Sequence, residues 1–229
     1  MIYLIPSFLS DNAVETIPPY ILEVVKNCQI IFAENERTAR RFLKAMDKEI
    51  VIDNFEWHTI HKAEKEQINI FRQKIKEGKN IAIISEAGCP GVADPGQILI
   101  NEAQKLNVEI KPLVGPSSIL LALMASGLNG QQFSFHGYLP IDNFERIKKI
   151  KELEEESAKK NCTQIFIETP YRNNKLIETI WKSCKPSTQL CIAADLTSAN
   201  ELIKTKTIDD WKREKIDFHK IPVIFLLLA

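Results

Sequence analysis

Short apolar runs alternate along the chain with longer stretches in which apolar residues recur every three to four positions, and that alternation predicts an α/β protein. Runs at 1–5, 29–33, 50–52, 81–85 and 108–114 predict strands. The segments IAII and QIIF are apolar without interruption, as strands buried on both faces of a parallel sheet must be. Between them, residues 63–77 place Ile68, Phe71 and Ile75 on one helical face. Helices over 97–106 and 117–128 are each introduced by a start signal, Pro-Gly and Pro-Ser-Ser.

The pattern breaks at 127–132, GLNGQQ, where Gly and Asn admit left-handed or extended backbone. This predicts two domains, 1–130 and 131–229. The second half reads as strands at 133–138, 163–168, 189–194, 201–205 and 221–228, with helices at 143–161 and 173–184. Its consecutive strands predict a mixed or antiparallel sheet, against a parallel-rich sheet in the first half. The run ERIKKIKELEEESAKK at 145–160 reads as a solvated helix with i,i+4 pairs such as Glu156–Lys160, or else as a lid or RNA-facing element.

Composition narrows the function. Thirty Lys plus Arg cancel thirty Asp plus Glu in 229 residues, so no global field gathers phosphate, although a local basic patch stays open. Arg37, Arg40, Arg41 and Lys44 form such a cluster on one predicted helix. Five scattered cysteines without a CxxC pair predict reduced thiols in a cytoplasmic protein and no zinc site. His58 and His61 in HTIH lack the companions a metal site needs. The nine-residue run IPVIFLLLA falls far short of the ~20 residues that cross a bilayer, so no membrane is expected. No basic region precedes the apolar N-terminal run, which reads as a first buried strand.

Three segments carry chemistry. In ISEAGCPGVADPG, at 84–96, a buried strand ends in small residues at the carboxyl edge of the sheet, where α/β proteins bind ligands. The loop holds two acids, Glu86 and Asp94, and is neither a GxGxxG fingerprint nor a P-loop. At 114–118, VGPSS opens a helix whose serines serve either as caps or as part of an anion site. At 166–172, FIETPYR ends a strand on Glu168.

In order and wording these segments resemble the tetrapyrrole methylase superfamily, and within it the ribosomal RNA small-subunit methyltransferase I family. AENERTARRFL (33–43) resembles A-E-D-x-R-x-[ST], and ISEAGCPGVADPG resembles S-D-A-G-x-P-x-x-S-D-P-G. VGPSSILLALMASGL (114–128), FSFHGYLP (133–140), IETPYR (167–172) and AADLT (193–197) match further family segments in the same order. The chain departs at PSFLSD (6–11), where the family reads T-P-I-G-N-L, and in Glu86, Cys89 and Ala194–Asp195.

The resemblance implies a two-domain fold and S-adenosylmethionine (SAM) as cofactor, in a cleft completed by the second domain. It implies SAM contacts from Pro6, Glu86, Ala87, Gly88, Val92, Asp94, Ser117, Ser118, Glu168, Thr169 and Leu196. It further implies 2′-O-methylation of a cytidine in 16S ribosomal RNA, with the small-subunit RNA as partner and a homodimer as assembly. Glu86 and Glu168 are then the candidates to accept the hydroxyl proton, and the Arg37, Arg40, Arg41, Lys44 cluster the candidate RNA contact. Two other readings compete: a small-molecule methyltransferase, and a non-catalytic protein that kept the fold.

Overall fold

The computed structural model describes residues 1–11, 13–60 and 64–229, and these form two compact units, Met1–Ser117 and Ser118–Ala229.

In the first unit β1 (Ile2–Ile5), β2 (Ile30–Ala33), β3 (Glu56–Thr59), β4 (Ile81–Ile84) and β5 (Ile110–Pro112) form a wholly parallel sheet in the order β3-β2-β4-β1-β5. Both faces of its central strands are covered, which explains their unbroken apolar sequence. Ile31, Ala33, Ala82 and Ile84 pack with α1 (Tyr20–Lys26) and α2 (Glu36–Met46). Ile30, Phe32, Ile81 and Ile83 pack with α3 (Ile68–Lys76) and α4 (Gln97–Lys105). Ile68, Phe71 and Ile75 lie in this second cluster, on the helical face their spacing predicts.

One predicted strand is corrected. Residues 50–52 are not a strand: Ile50 is a buried loop anchor, and Ile52–Asn54 form a 3₁₀ turn. The strand is β3, EWHT, which pairs only with β2 at the sheet edge. Half exposed, it carries polar residues that hide it from a search for apolar runs. Its His58 stacks on Phe32 at 4.8 Å and meets Glu56 at 2.9 Å, while His61 and Ala63 lie outside the described residues.

The second unit begins with α5 (Ser118–Ser126), which packs against β8 (Gln189–Ala194), β9 (Leu202–Thr207) and β10 (Val223–Leu228). The GLNGQQ segment therefore lies within this unit, linking α5 to β6 (Phe133–Tyr138). The sheet runs β6-β7-β10-β8-β9, with β7 at Thr163–Ile167. Only β6 and β7 pair in parallel, so the sheet is mixed. Helices α6 (Asn143–Lys160), α7 (Asn173–Ser183) and α8 (Ile208–Trp211) bury Ile150, Leu153, Leu176, Ile177, Ile180 and Trp211 against Phe166 and Phe225. On the outer face of α6, Lys160 pairs with Glu156 at 2.7 Å.

Among the described residues no helix is long and apolar enough to cross a membrane, and no cluster of acids, histidines and cysteines could hold a metal. All five cysteines are free.

Candidate functional site

Strand order sets where chemistry can gather. The chain leaves β1 toward β2 on one side of the sheet and leaves β4 toward β5 on the other. The connections that follow these adjacent strands thus part in opposite directions, and such a switch point is where parallel sheets bind ligands.

Polar contacts stitch the loops there. Ser7 and Gly88 form an isolated antiparallel bridge, with N–H···O distances of 2.8 and 3.2 Å, and the Ser7 hydroxyl donates to the Ser85 carbonyl at 2.8 Å. Gly88 adopts φ +70°, the left-handed region that glycine enters without cost. A Cβ there would sit 3.4 Å from Leu9 and 3.6 Å from the Pro116 carbonyl. The Cys89 thiol reaches the same carbonyl at 3.5 Å, tying in the loop after β5. Pro6 is buried against Gly115, where any Cβ would collide with its ring at 2.2 Å. The proline thus locks the β1 and β5 loops together.

Three carboxylates on this frame feel one another's charge. Glu34, at the end of β2, accepts the backbone N–H of Glu86 at 2.9 Å. The Thr38 hydroxyl, on α2, lies 3.3 Å from the Glu86 carboxylate and 2.9 Å from the Asn35 carbonyl. Burial pushes Asp94 up to about 7, and the charges of Glu34 and Glu86 add to the rise. Burial and the charge of Asp94 likewise raise the Cys89 thiol, so it is no ready nucleophile. Neighbouring carboxylates that hold a proton near neutral pH are relieved by a bound cation. A ligand carrying a sulfonium and an ammonium, as SAM does, fits this donor set.

The other expected residues of this unit divide by exposure. Ala87 and Val92 are exposed, and Ser117 is half-buried at the end of the unit. The start of α4 is already taken by a side chain of this chain: the Glu64 carboxylate accepts the N–H groups of Gly96, Ile98 and Leu99. Sequence reasoning missed Glu64, since nothing in its vicinity reads as a cap for a helix 33 residues later. It also missed Ser7 and Phe8, which sit in the segment that departs from the family pattern.

In the second unit, β7 and β8 both run antiparallel to β10, so their carboxyl ends lie at one edge. Glu168 and Thr169 follow β7, and Leu196 and Thr197 follow β8. The Glu168 side chain is 1% exposed and pairs with Arg172 at 2.6 Å, while the same oxygen accepts the Thr169 N–H at 2.6 Å. Its other oxygen, and the Thr197 hydroxyl, are buried without a partner among the described residues. Asp195 and Thr197 hold φ of 50° and 67° around buried Leu196. A β-branched residue in that region is strained, and such strain gathers at functional loops. Ser118 opens α5, half-buried.

The basic cluster on α2 is not uniform. Arg40 is engaged by Glu36 at 2.6 Å and Asp53 at 3.8 Å, and stacks on Trp57 at 5.0 Å. Lys44 donates to the Lys48 carbonyl at 2.8 Å. Arg37 is exposed, and Arg41 meets Asp11 at 3.5 Å with its side chain 64% exposed.

The family model described as Tetrapyrrole (Corrin/Porphyrin) Methylases matches residues 13–211. The Ribosomal RNA small subunit methyltransferase I of Buchnera aphidicola subsp. Schizaphis graminum is 29% identical, across 100% of this chain and 78% of that protein. That of Vibrio cholerae is 29% identical across 89% of this chain and 67% of its own. In fold, the chain is similar to the crystal structure of the methyltransferase CobJ, with a TM-score of 0.63 at 15% identity over 94% of this chain and 89% of that one.

Proposed function

The chain belongs to the tetrapyrrole methylase family, and from that premise we propose that it methylates a cytidine ribose 2′-hydroxyl in small-subunit ribosomal RNA, using SAM. The carrying observation is that Glu34, Glu86 and Asp94 feel one another's charge at the switch point of the parallel sheet, beside a helix that exposes Arg37 and Arg41. The names of the full-length relatives support RNA as acceptor.

SAM, when bound, supplies an electrophilic methyl group on a positively charged sulfur. The rest falls to the protein. The bridge between Ser7 and Gly88 fixes the loops rigidly, and positioning supplies much of the rate of an in-line displacement. The three carboxylates attract and hold the cationic donor. Of the two proposed proton acceptors, Glu86 is exposed, while Glu168 is held by Arg172. We therefore assign proton acceptance from the ribose hydroxyl to Glu86, and positioning of the β7 loop to Glu168. In this reading Pro6, Ala87, Gly88, Val92 and Ser117 of the first unit stand as cofactor contacts, Pro6 packing on Gly115; Ser118, Thr169 and Leu196 are cofactor contacts on the strength of the resemblance alone. The homodimer implied by the resemblance and the cytoplasmic location read from the cysteines belong to the same proposal.

The test is transfer of labelled methyl from SAM to undermethylated small ribosomal subunits. Label in the RNA, located on a 2′-oxygen, is the expected result. Label entering only a small-molecule acceptor would replace this reading with the metabolite one, and absence of SAM binding would leave only the non-catalytic one.

A further inference from the structure

We propose that the cavity between the β1–α1 loop and helix α2 is the pocket for the acceptor nucleoside, receiving one nucleotide swung out of the RNA strand; the assignment rests on the RNA reading above. The cavity encloses about 250 Å³ within the first unit. Sites for drug-sized ligands run from roughly 300 to 1,000 Å³, so this half-open cavity is of a size to seat a single nucleoside.

Its walls supply the three things an extruded nucleotide needs, which are an aromatic surface, polar groups for its edges and positive charge for its phosphate. Phe8 and Phe42 meet edge to face at 4.9 Å and make the apolar wall. Ser10 and Thr38 are polar lining, and Arg41, 64% exposed and paired at 3.5 Å with Asp11 of the same lining, offers a guanidinium that a phosphate would have to take from that acid. Glu86 belongs both to this lining and to the carboxylate group of the cofactor loop, so a nucleoside here lies beside the proposed proton acceptor.

One donor of this wall is shared between two acceptors. The Thr38 hydroxyl lies 2.9 Å from the Asn35 carbonyl and 3.3 Å from the Glu86 carboxylate, but it carries one hydrogen and can satisfy only one of them. When that hydrogen goes to Asn35, Glu86 is left to accept from a ligand. A ribose hydroxyl is such a donor.

Filling the cavity from two sides tests the assignment. Ala45→Trp enlarges an exposed lining residue of α2, and Ser10→Tyr enlarges the opposite loop. Both full-length variants should bind SAM with unchanged affinity by calorimetry, which also reports that they are folded. Methyl transfer to undermethylated subunits should fall in kcat/KM by about 10²-fold, the cost of displacing a reacting group by an ångström or so. Wild-type transfer with equal transfer by both folded variants would overturn the pocket while leaving the RNA reading intact. Loss of SAM affinity in both would instead give the cavity to the cofactor, and also overturn the proposal. A wild-type protein that labels no RNA overturns both together.

Discussion

Glu64 turns one carboxylate oxygen onto the backbone N–H of Ile98 at 2.8 Å. The same oxygen takes the N–H groups of Gly96 and Leu99, each at 3.1 Å, so a remote acid caps α4 where Gly96 has no side chain to do so. A carboxylate is well matched to the positive end of a helix dipole. Glu64→Ala should therefore cost about 1–3 kcal/mol, the usual range for stranding buried donors. Glu64→Gln, which keeps an accepting oxygen without the charge, should cost less. A lowered urea midpoint at constant m-value is the expected reading, and an unmoved midpoint in Glu64→Ala would show that water replaces the cap.

Asp94 gives the protein a titration near neutrality. Its folded pKa is raised from 3.8 to about 7, first by burial and then by Glu34 and Glu86. A raised acid binds its proton more tightly when folded, so its stabilising contribution is full below about 3.8 and is lost as pH rises through about 7. Asp94→Asn should flatten this part of the stability profile and raise Tm at pH 8 more than at pH 5. SAM binding at pH 6.5 should release a proton, because a cation beside Asp94 favours its charged form. Calorimetry in buffers of different ionisation enthalpy reads that proton directly. A release equal in wild type and Asp94→Asn would remove Asp94 from the cofactor site.

Gly88 combines left-handed backbone with the bridge to Ser7. Gly88→Val should cost about 1–2 kcal/mol from backbone strain and weaken SAM binding by shifting the loop. The smaller Gly88→Ala shares the strain with less bulk, so it should show a similar stability loss. Full SAM affinity in both folded variants would confine this glycine to a structural role.

The arginines of α2 should separate by their partners. Arg37→Gln and Arg41→Gln should each weaken binding to the small subunit and flatten the log–log salt dependence by roughly one unit. Arg40→Gln should act mainly on stability, since Arg40 is held by Glu36, Asp53 and Trp57. Identical salt slopes in all three would make this helix face merely solvated.

Arg172 supports the Glu168 carboxylate, whose side chain is 1% exposed. Removing one partner of a buried pair leaves an uncompensated charge at a cost of about 3–5 kcal/mol. Arg172→Met should approach the lower end, because Arg172 itself is 30% exposed. The double variant Arg172→Met/Glu168→Gln should recover part of the loss. If the single variant is as stable as wild type, solvent reaches Glu168 and the pair positions nothing.

The sequence made the buried strands legible because burial on both faces leaves only apolar residues to find, as in β4, IAII. It concealed β3, where an edge strand needs no such run, and it gave no warning that α5 belongs with the second sheet. That membership is decided by contacts with β8, β9 and β10, which lie 63 or more residues further along the chain. At the site, motif wording pointed to Glu86, Gly88, Asp94 and Glu168. The partners that set their chemistry are long-range: Glu34 lies 52 residues from Glu86, and Glu64 lies 32 from Gly96. Spacing along a chain carries no trace of such pairs.

The ladder of β1 has a consequence for how this chain is made. Among the described residues Ile2–Ile5 pairs with β4 and β5 alone, so its partners begin at Ile81. At translation rates of about 5–20 residues per second, the segment IYLI waits roughly 4–15 s after synthesis with neither neighbour present. During that interval β2 and β3 can already pair with each other, while β1 remains an apolar strand with both edges open. The first unit is completed by insertion of its earliest-made strand between two of its latest. Strand β1 is therefore the part of this unit most in need of shelter from other nascent chains.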